Sequence, residues 1–292
     1  MLKNKICSSF KTLIVKPLIL KPLFNKFTAG ENINSLNNKI NYLAEKNILS
    51  IVDYVKEFSN NPKDITRSIS EYISISKLDS TKYIAIKLST FNFEYSKICP
   101  LLTLMINNNK KILIDAEDSE NQDKVNDLTN TLIHRLSTTE INIFKTYQLY
   151  RKDSLQQLKE DINEFDNKLG IKLVRGAYYN QDFKTGKLFN NKEDTDTSFN
   201  KAMDIVFTLP NESFICTHNK NDINKLINTV KENKYEHIHH ASLYGFINKD
   251  TDRIIQNGIK TFKYLPYGNI DDALPYLTRR IYENPKILFY FN

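Results

Sequence analysis

The chain has 292 residues, 40% hydrophobic and 26% charged, with a formal net charge of +7 and a sequence pI of about 9.0. These fractions exclude a disordered chain, allow a sizeable core, and suit one large domain. The basic residues are not gathered into a stripe interleaved with aromatics, so no nucleic-acid partner is expected in spite of the pI.

The N-terminus stands apart. From Met1 to Gly30 there are six lysines and no acidic residue, with Leu13, Ile14, Val15, Leu18, Ile19 and Leu20 between them. Residues 1–26 are therefore expected to be a basic targeting or membrane-surface segment, with an arm packed on the domain as the alternative. The segment lacks Arg, unlike a standard transit peptide, and Pro17 and Pro22 are expected to interrupt any helix. No run of about 18 apolar residues predicts a membrane-spanning helix.

Beyond it, short β-branched runs alternate with amphipathic stretches. Strands are predicted at Ile48–Val55, Tyr83–Leu88, Ile112–Ala116, Ile141–Tyr147, Ile171–Ala177, Ser213–Thr217, His237–Leu243 and Thr261–Leu265. Helices are predicted at Lys124–Leu136, Ser154–Leu169, Thr197–Thr208, Asn221–Glu232 and Asp250–Asn257. Eight strand–helix units imply parallel pairing and a (β/α)8 barrel of the TIM type. No G-x-G-x-x-G follows a strand, which argues against a Rossmann site. Residues 180–194, long and polar, are expected to form a functional or mobile loop. With only 7 glycines, Asn is expected to fill many loop positions.

In such a barrel, chemistry sits at the C-terminal strand ends. Those ends carry Asp53, Lys87, Asp115, Glu117, Gln148, Tyr178, His218, Asn219 and Tyr264. Cys7, Cys99 and Cys216 have neither metal-ligand nor disulfide spacing and imply a reducing compartment. His237 and His239 fall on one face of a strand and His240 on the other, and no metal is expected.

Several segments resemble the proline dehydrogenase family, of the monofunctional, eukaryotic mitochondrial type. They are Phe27–Glu31, the Ile-Lys-Leu-Ser ending at Ser89, the Ile-Asp-Ala-Glu ending at Glu117, Tyr147-Gln148, Lys172–Tyr178, Thr217-His218-Asn219, Tyr264–Gly268, and Tyr276–Arg280 with Glu283-Asn284. The resemblance runs from about Phe27 to Asn284 and implies a distorted barrel over 27–292 whose last helix lies across the mouth. It implies oxidation of L-proline to Δ1-pyrroline-5-carboxylate with FAD, electrons passing to a quinone.

By that resemblance, Lys87, Arg279 and Arg280 hold the substrate carboxylate, a task suited to fixed cations. Tyr264 and Tyr276 flank the proline ring, Leu243 covers it, and Glu283 orients the arginines. A tyrosine at 276 goes with proline rather than hydroxyproline. Asp115 fixes Lys87 or Tyr264, and Glu57 pairs with Arg279 as a gate. Gln148, Lys172, Val174, Gly176 and Ala177 contact the flavin, Thr217, His218 and Asn219 the adenosine side, and Lys192 the pyrophosphate. Two departures stand out: Lys172 where bacterial members carry Arg, and Ser242 and Phe246 where Gln and Met are common. The implied location is the matrix side of the inner mitochondrial membrane. Two rivals remain: an aldolase-like lyase with Lys87 as Schiff-base amine, and a non-catalytic barrel descendant.

Overall fold

The protein is described here from a computed structural model covering residues 17–246 and 250–283, with side chains for all of these except 17–20 and 282–283. The expectations for residues 1–16, Cys7 among them, and for Asn284 lie outside the described residues.

Eight parallel strands close into a barrel: β1 Ile48–Tyr54, β2 Tyr83–Ile86, β3 Lys111–Ile114, β4 Ile143–Gln148, β5 Gly170–Val174, β6 Ser213–Cys216, β7 Ile238–Leu243 and β8 Thr261–Tyr267. Closure is made by the longest ladder, from Ile48 opposite Thr261 to Tyr54 opposite Tyr267. All eight predicted strands are present. Their C-terminal ends fall one to three residues short of several predicted ends, because the chain leaves the ladder where the rim residues begin.

Alternation divides each strand between two layers. Ile51, Tyr83, Ala85, Leu113, Phe144, Phe214, Ala241 and Phe262 fill the barrel interior. Tyr83 packs edge-on against Phe144, Phe214 and Phe262 with ring centroids 5.1–6.1 Å apart. The outward residues, including Ile84, Ile114, Ile171, Ile215 and Leu265, pack in the main core shared with the surrounding helices.

In chain order the helices are α1 Pro17–Phe27, α2 Ile33–Ala44, α3 Pro62–Ser76, α4 Tyr95–Asn107, α5 Gln122–Leu136, α6 Ser154–Phe165, α7 Tyr179–Asp182, α8 Lys192–Phe207, α9 Lys220–Asn233, α10 Thr251–Gln256 and α11 Leu274–Glu283. Asn does the punctuation that a glycine-poor chain needs. Asn32, Asn61, Asn191 and Asn219 cap α2, α3, α8 and α9 with their side chains, and Asn47, Asn92 and Asn109 take positive φ.

Two expectations are corrected. Pro22 does not interrupt a helix: α1 runs through it. The hydrogen bond that Pro forfeits is offset by burial of Leu23, Phe24 and Phe27 against Ala273, Tyr276, Leu277 and Ile281 of the α11 region. Through Leu23, Phe24 and Phe27, α1 packs on the domain, which is the alternative given for the end of the N-terminal segment. The 180–194 loop is also largely structured. It holds α7, a 3-10 turn at Phe183–Thr185 and a bridge from Leu188 to Arg151, and α8 begins at Lys192, five residues before its predicted start.

Candidate active site

The charged groups at the C-terminal rim form one connected network. Lys87, immediately after β2, places its Nζ 2.6 Å from Asp53 of β1, 3.5 Å from Asp115 after β3 and 4.0 Å from Glu57 in the β1–α3 loop. Asp115 accepts a hydrogen bond from Lys172 of β5 at 2.6 Å through one oxygen and from the Tyr264 hydroxyl of β8 through the other. The Lys172 ammonium also lies 4.8 Å from the centroid of the Tyr264 ring. Glu57 accepts two hydrogen bonds from Arg279 of α11, at 2.6 and 3.0 Å. Arg279 in turn stands 5.4 Å from the ring of Tyr178, which follows β5. Since β1 and β5 lie on opposite sides of an eight-stranded barrel, a guanidinium touching a loop of each spans the mouth.

Burial makes these pairings strong. Burial alone would lower Lys87, but Asp53, Asp115 and Glu57 hold it well above the ordinary lysine value, so it stays charged. Burial would raise Asp115, but Lys172 and Lys87 outweigh it and keep it an anion. Asp53 is pushed up to about 6, burial outweighing Lys87. Arg280 is buried with its guanidinium 5.2 Å from the Tyr276 ring. Tyr276 itself packs in the cluster joining α1 to α11. Glu283 ends α11, and its side chain lies outside the described residues.

The expected cofactor residues fall in two adjoining groups. Gln148 accepts from the Ala177 N–H at 3.2 Å and donates to the Glu117 carbonyl at 2.8 Å. Half-buried Val174 accepts the Leu149 N–H through its carbonyl. Gly176 has φ +138°, and a Cβ there would lie 2.3 Å from the Tyr150 ring. Glycine is thus required by Tyr150 and by the backbone, a cause within the protein itself. In the second group Arg175 is the hub, pairing with Asp196 and, at 2.8 Å, with Asp222. Asp222 accepts from Thr217 at 2.7 Å, and Asp196 pairs with Lys192. Lys192 is exposed at the start of α8, joined to Thr217 only through this chain of ion pairs. Asn219 caps α9, and exposed His218 accepts the Leu243 N–H at 3.3 Å.

The donor set fits an FAD. Lys172 of β5 and Gln148 at the end of the neighbouring β4 offer a cation and an amide suited to the polar edge of a flavin ring, and Arg175 with Lys192 offers cations for a diphosphate. Among the described residues, no group of three or more His, Cys, Asp or Glu is placed to hold a metal.

Four residues were not assigned a role from sequence: Asp53, Glu117, Arg175 and Lys263. The first two were visible only as polar strand ends, and Arg175 only as part of a motif. Lys263 lies on the outward face of β8, buried, with its ammonium on the Ser242 hydroxyl at 2.8 Å. A lysine in such a position reads as solvated, and no signal in the sequence marked it.

A closed parallel barrel with paired charges buried at its C-terminal rim and a helix bringing arginine across the mouth defines a (β/α)8 barrel with an active-site-like rim. The chain belongs to the proline dehydrogenase family, whose model matches residues 36–288. It is 26% identical over 88% of its length to the carbapenem antibiotics biosynthesis protein CarD of Pectobacterium carotovorum subsp. carotovorum, of which the match covers 78%. It is 26% identical over 89% of its length to the mitochondrial proline dehydrogenase 1 of Dictyostelium discoideum, covering 49% of that protein. The fold is similar to that of proline utilization A from Bdellovibrio bacteriovorus inactivated by N-propargylglycine, with a TM-score of 0.81 at 15% identity, covering 90% of this chain and 33% of that one. The chain thus spans about half of the Dictyostelium relative and a third of the bacterial chain.

Proposed function

We propose that this protein oxidises L-proline to Δ1-pyrroline-5-carboxylate with FAD and passes the electrons to a quinone, the first step of proline catabolism. The observation that carries the reading, beside the family, is the buried network joining Lys87, Lys172 and Arg279 to Asp53, Glu57 and Asp115 beneath α11. When bound, FAD supplies the hydride acceptor and hands electrons on.

The chain's own residues do the rest. Asp53 and Asp115 fix the Lys87 ammonium, and the substrate carboxylate is held by Lys87, Arg279 and Arg280. Glu57 engages two of the five N–H donors of Arg279, and the remaining donors are proposed to grip the carboxylate. The Glu57–Arg279 pair is the gate, and its closure excludes water around the reacting carbon. Tyr264, held by Asp115, and Tyr276 bound the ring, with Leu243 over it. Lys172, Gln148, Val174, Gly176 and Ala177 hold the flavin, and Thr217, His218, Asn219 and Lys192 the adenosine diphosphate portion. Glu283 is proposed to orient the arginines.

The charge on Lys87 speaks against the aldolase-like rival, since a Schiff-base lysine must be able to shed its proton. We place the protein in mitochondria, on the matrix side of the inner membrane as a peripheral protein. Exposed Tyr179 and Phe183, ring centroids 5.4 Å apart on the β5–α8 connection beside Lys184 and Lys187, support a membrane contact near the site. Among the described residues no helix is long and apolar enough to cross a membrane.

The test is the visible spectrum of purified protein reconstituted with FAD. A flavin absorbance bleached by L-proline is expected. Protein that refuses FAD, or a bound flavin untouched by proline, would overturn the reading.

A further inference from the structure

Glu117 lies two residues beyond Asp115, 1% exposed. Its backbone is fixed on both sides: its N–H donates to Gln122 at 2.8 Å, and its carbonyl accepts from Gln148 at 2.8 Å. One side-chain oxygen accepts the Ser89 N–H at 2.9 Å. The other, Oε2, is buried with no hydrogen-bond partner among the described residues. Burying a carboxyl with an unused oxygen is costly, and such a group calls for an explanation beyond the fold.

Ser89 supplies one. It belongs to the 3-10 turn Leu88–Phe91 that directly follows Lys87. The same turn is tied to the loop that carries Glu57. The Ser89 carbonyl accepts the Ser59 N–H at 3.2 Å, its hydroxyl oxygen accepts the Phe58 N–H at 3.4 Å, and the Thr90 hydroxyl donates to the Lys56 carbonyl at 2.7 Å. Glu57 sits between these anchors. Phe58 adopts φ +51°, a left-handed conformation that a bulky residue keeps only where surrounding bonds impose it. A continuous line of contacts therefore runs from Glu117 through Ser89 to Lys87 on one branch, and to Glu57 and Arg279 on the other.

We propose that Glu117 is a positioning residue: through Ser89 it sets where the Lys87 ammonium and the Glu57 carboxylate stand, and so how Arg279 closes on the substrate. The inference rests on the reading of this rim as a gated proline site. Ser89 bonds the carboxyl, and Glu57, Lys87 and Tyr178 are the charged and titratable groups that act on it, while Gln122 and Gln148 hold only its backbone. Burial pushes it up to about 7, against the Ser89 N–H and hydroxyl, so the neutral acid is well populated near neutrality. Gln, neutral and with an accepting oxygen, should then be a close substitute, and Ala should not.

The test compares E117Q, E117A and E117D in the FAD-loaded protein. Amide hydrogen exchange in segments 56–59 and 88–91, measured without substrate, should quicken about tenfold in E117A and stay near wild type in E117Q. The KM for proline should rise about tenfold in E117A while kcat changes by less than about threefold, and E117Q should lie within about twofold of wild type in both. In a Glu57→Ala background, E117A should add less than about twofold to KM, because the shared route is already cut. If E117A does not fold, E117D, which withdraws the carboxyl from Ser89, should show the same pattern. Unchanged exchange in E117A or E117D, or an undiminished rise in KM in the Glu57→Ala background, would overturn the proposal. A protein that never oxidises proline would defeat the functional reading alone, since the exchange measurement still decides the structural link.

Discussion

Arg279 of α11 grips both oxygens of Glu57, at 2.6 and 3.0 Å, across the mouth of the barrel. The partners are 222 residues apart in sequence, so the pair pins the last described helix to the loop after the first strand. Burial would lower Arg279, but Glu57 more than offsets that, and the guanidinium stays charged. Glu57→Ala should therefore act twice. Stability should fall by on the order of 3 kcal/mol, since a buried cation loses its counter-ion. In addition, kcat/KM for proline should fall roughly 10- to 100-fold as the site loses closure. Urea unfolding and steady-state kinetics measure the two separately, and unchanged proline kinetics would remove the gate.

Asp115 is the junction of the network, with Lys172 on one oxygen, Tyr264 on the other and Lys87 at 3.5 Å. Asp115→Asn keeps the shape but gives up the charge that both lysines face. Proline turnover should fall roughly 100-fold with a smaller change in KM, because the loss falls on orientation of groups around the reacting carbon. Stopped-flow reduction of the bound flavin by proline would measure the step, and a rate within a few-fold of wild type would rule this role out.

The barrel and the polar strand ends could be read in advance because both are local. Ile84–Ile86 and Ile112–Ile114 announce buried parallel strands, and Lys87 and Asp115 then fall at their ends by counting. What could not be read depends on elements far apart in sequence. Pro22 is carried inside a helix because α11 packs on α1, and nothing near Pro22 encodes that. Lys192 was assigned from a motif, yet its pairing with Asp196 one turn along α8 is a matter of helix start and register. The resemblance gives Gly176 as a flavin contact, and nothing in the sequence shows that the Tyr150 ring is what requires glycine there.

That last case is testable. The Tyr150 ring cannot easily yield, since it is buried and its hydroxyl donates to Asp182 at 2.9 Å. Gly176→Ala must also place a Cβ at φ +138°. A loss of on the order of 3 kcal/mol is expected. Thermal unfolding of the protein without FAD would measure it free of any effect on cofactor binding, and a loss below about 1 kcal/mol would show that the rim gives way.

The opposite end of the barrel offers a pH prediction. Burial would raise the Glu212 carboxyl, but hydrogen bonds from His239, Lys111 and Tyr83 outweigh it and bring it from 4.5 down to about 2. A carboxylate depressed in the folded state contributes stability that is full above the unfolded value and is lost as pH falls through the folded one. Glu212→Gln should thus cost about 3 kcal/mol near neutrality, a difference that shrinks from about pH 4.5 and vanishes near pH 2. Urea unfolding of both proteins across that range decides it, and a pH-independent difference would assign the effect to packing.

Lys263 carries the last prediction, and its sign is the opposite. Burial alone lowers its ammonium from 10.5 to about 8, and Ser242 is its hydrogen-bond acceptor at 2.8 Å. A lysine depressed in the folded state weakens the fold below about pH 8, and that cost is relieved as pH rises towards 10.5, where the unfolded chain also gives up its proton. The cost near neutrality is about 3 kcal/mol, against about 1 kcal/mol for leaving the Ser242 hydroxyl without its partner. Lys263→Met keeps the length of the chain and removes the charge, so it should stabilise the protein by about 2 kcal/mol at pH 7. It should also flatten the rise in wild-type stability between pH 8 and 10.5. Urea unfolding at pH 7 and 10 measures both. A destabilised Lys263→Met would mean that the ammonium has a negative partner in solution, and that the outer face of β8 does more than wall the barrel.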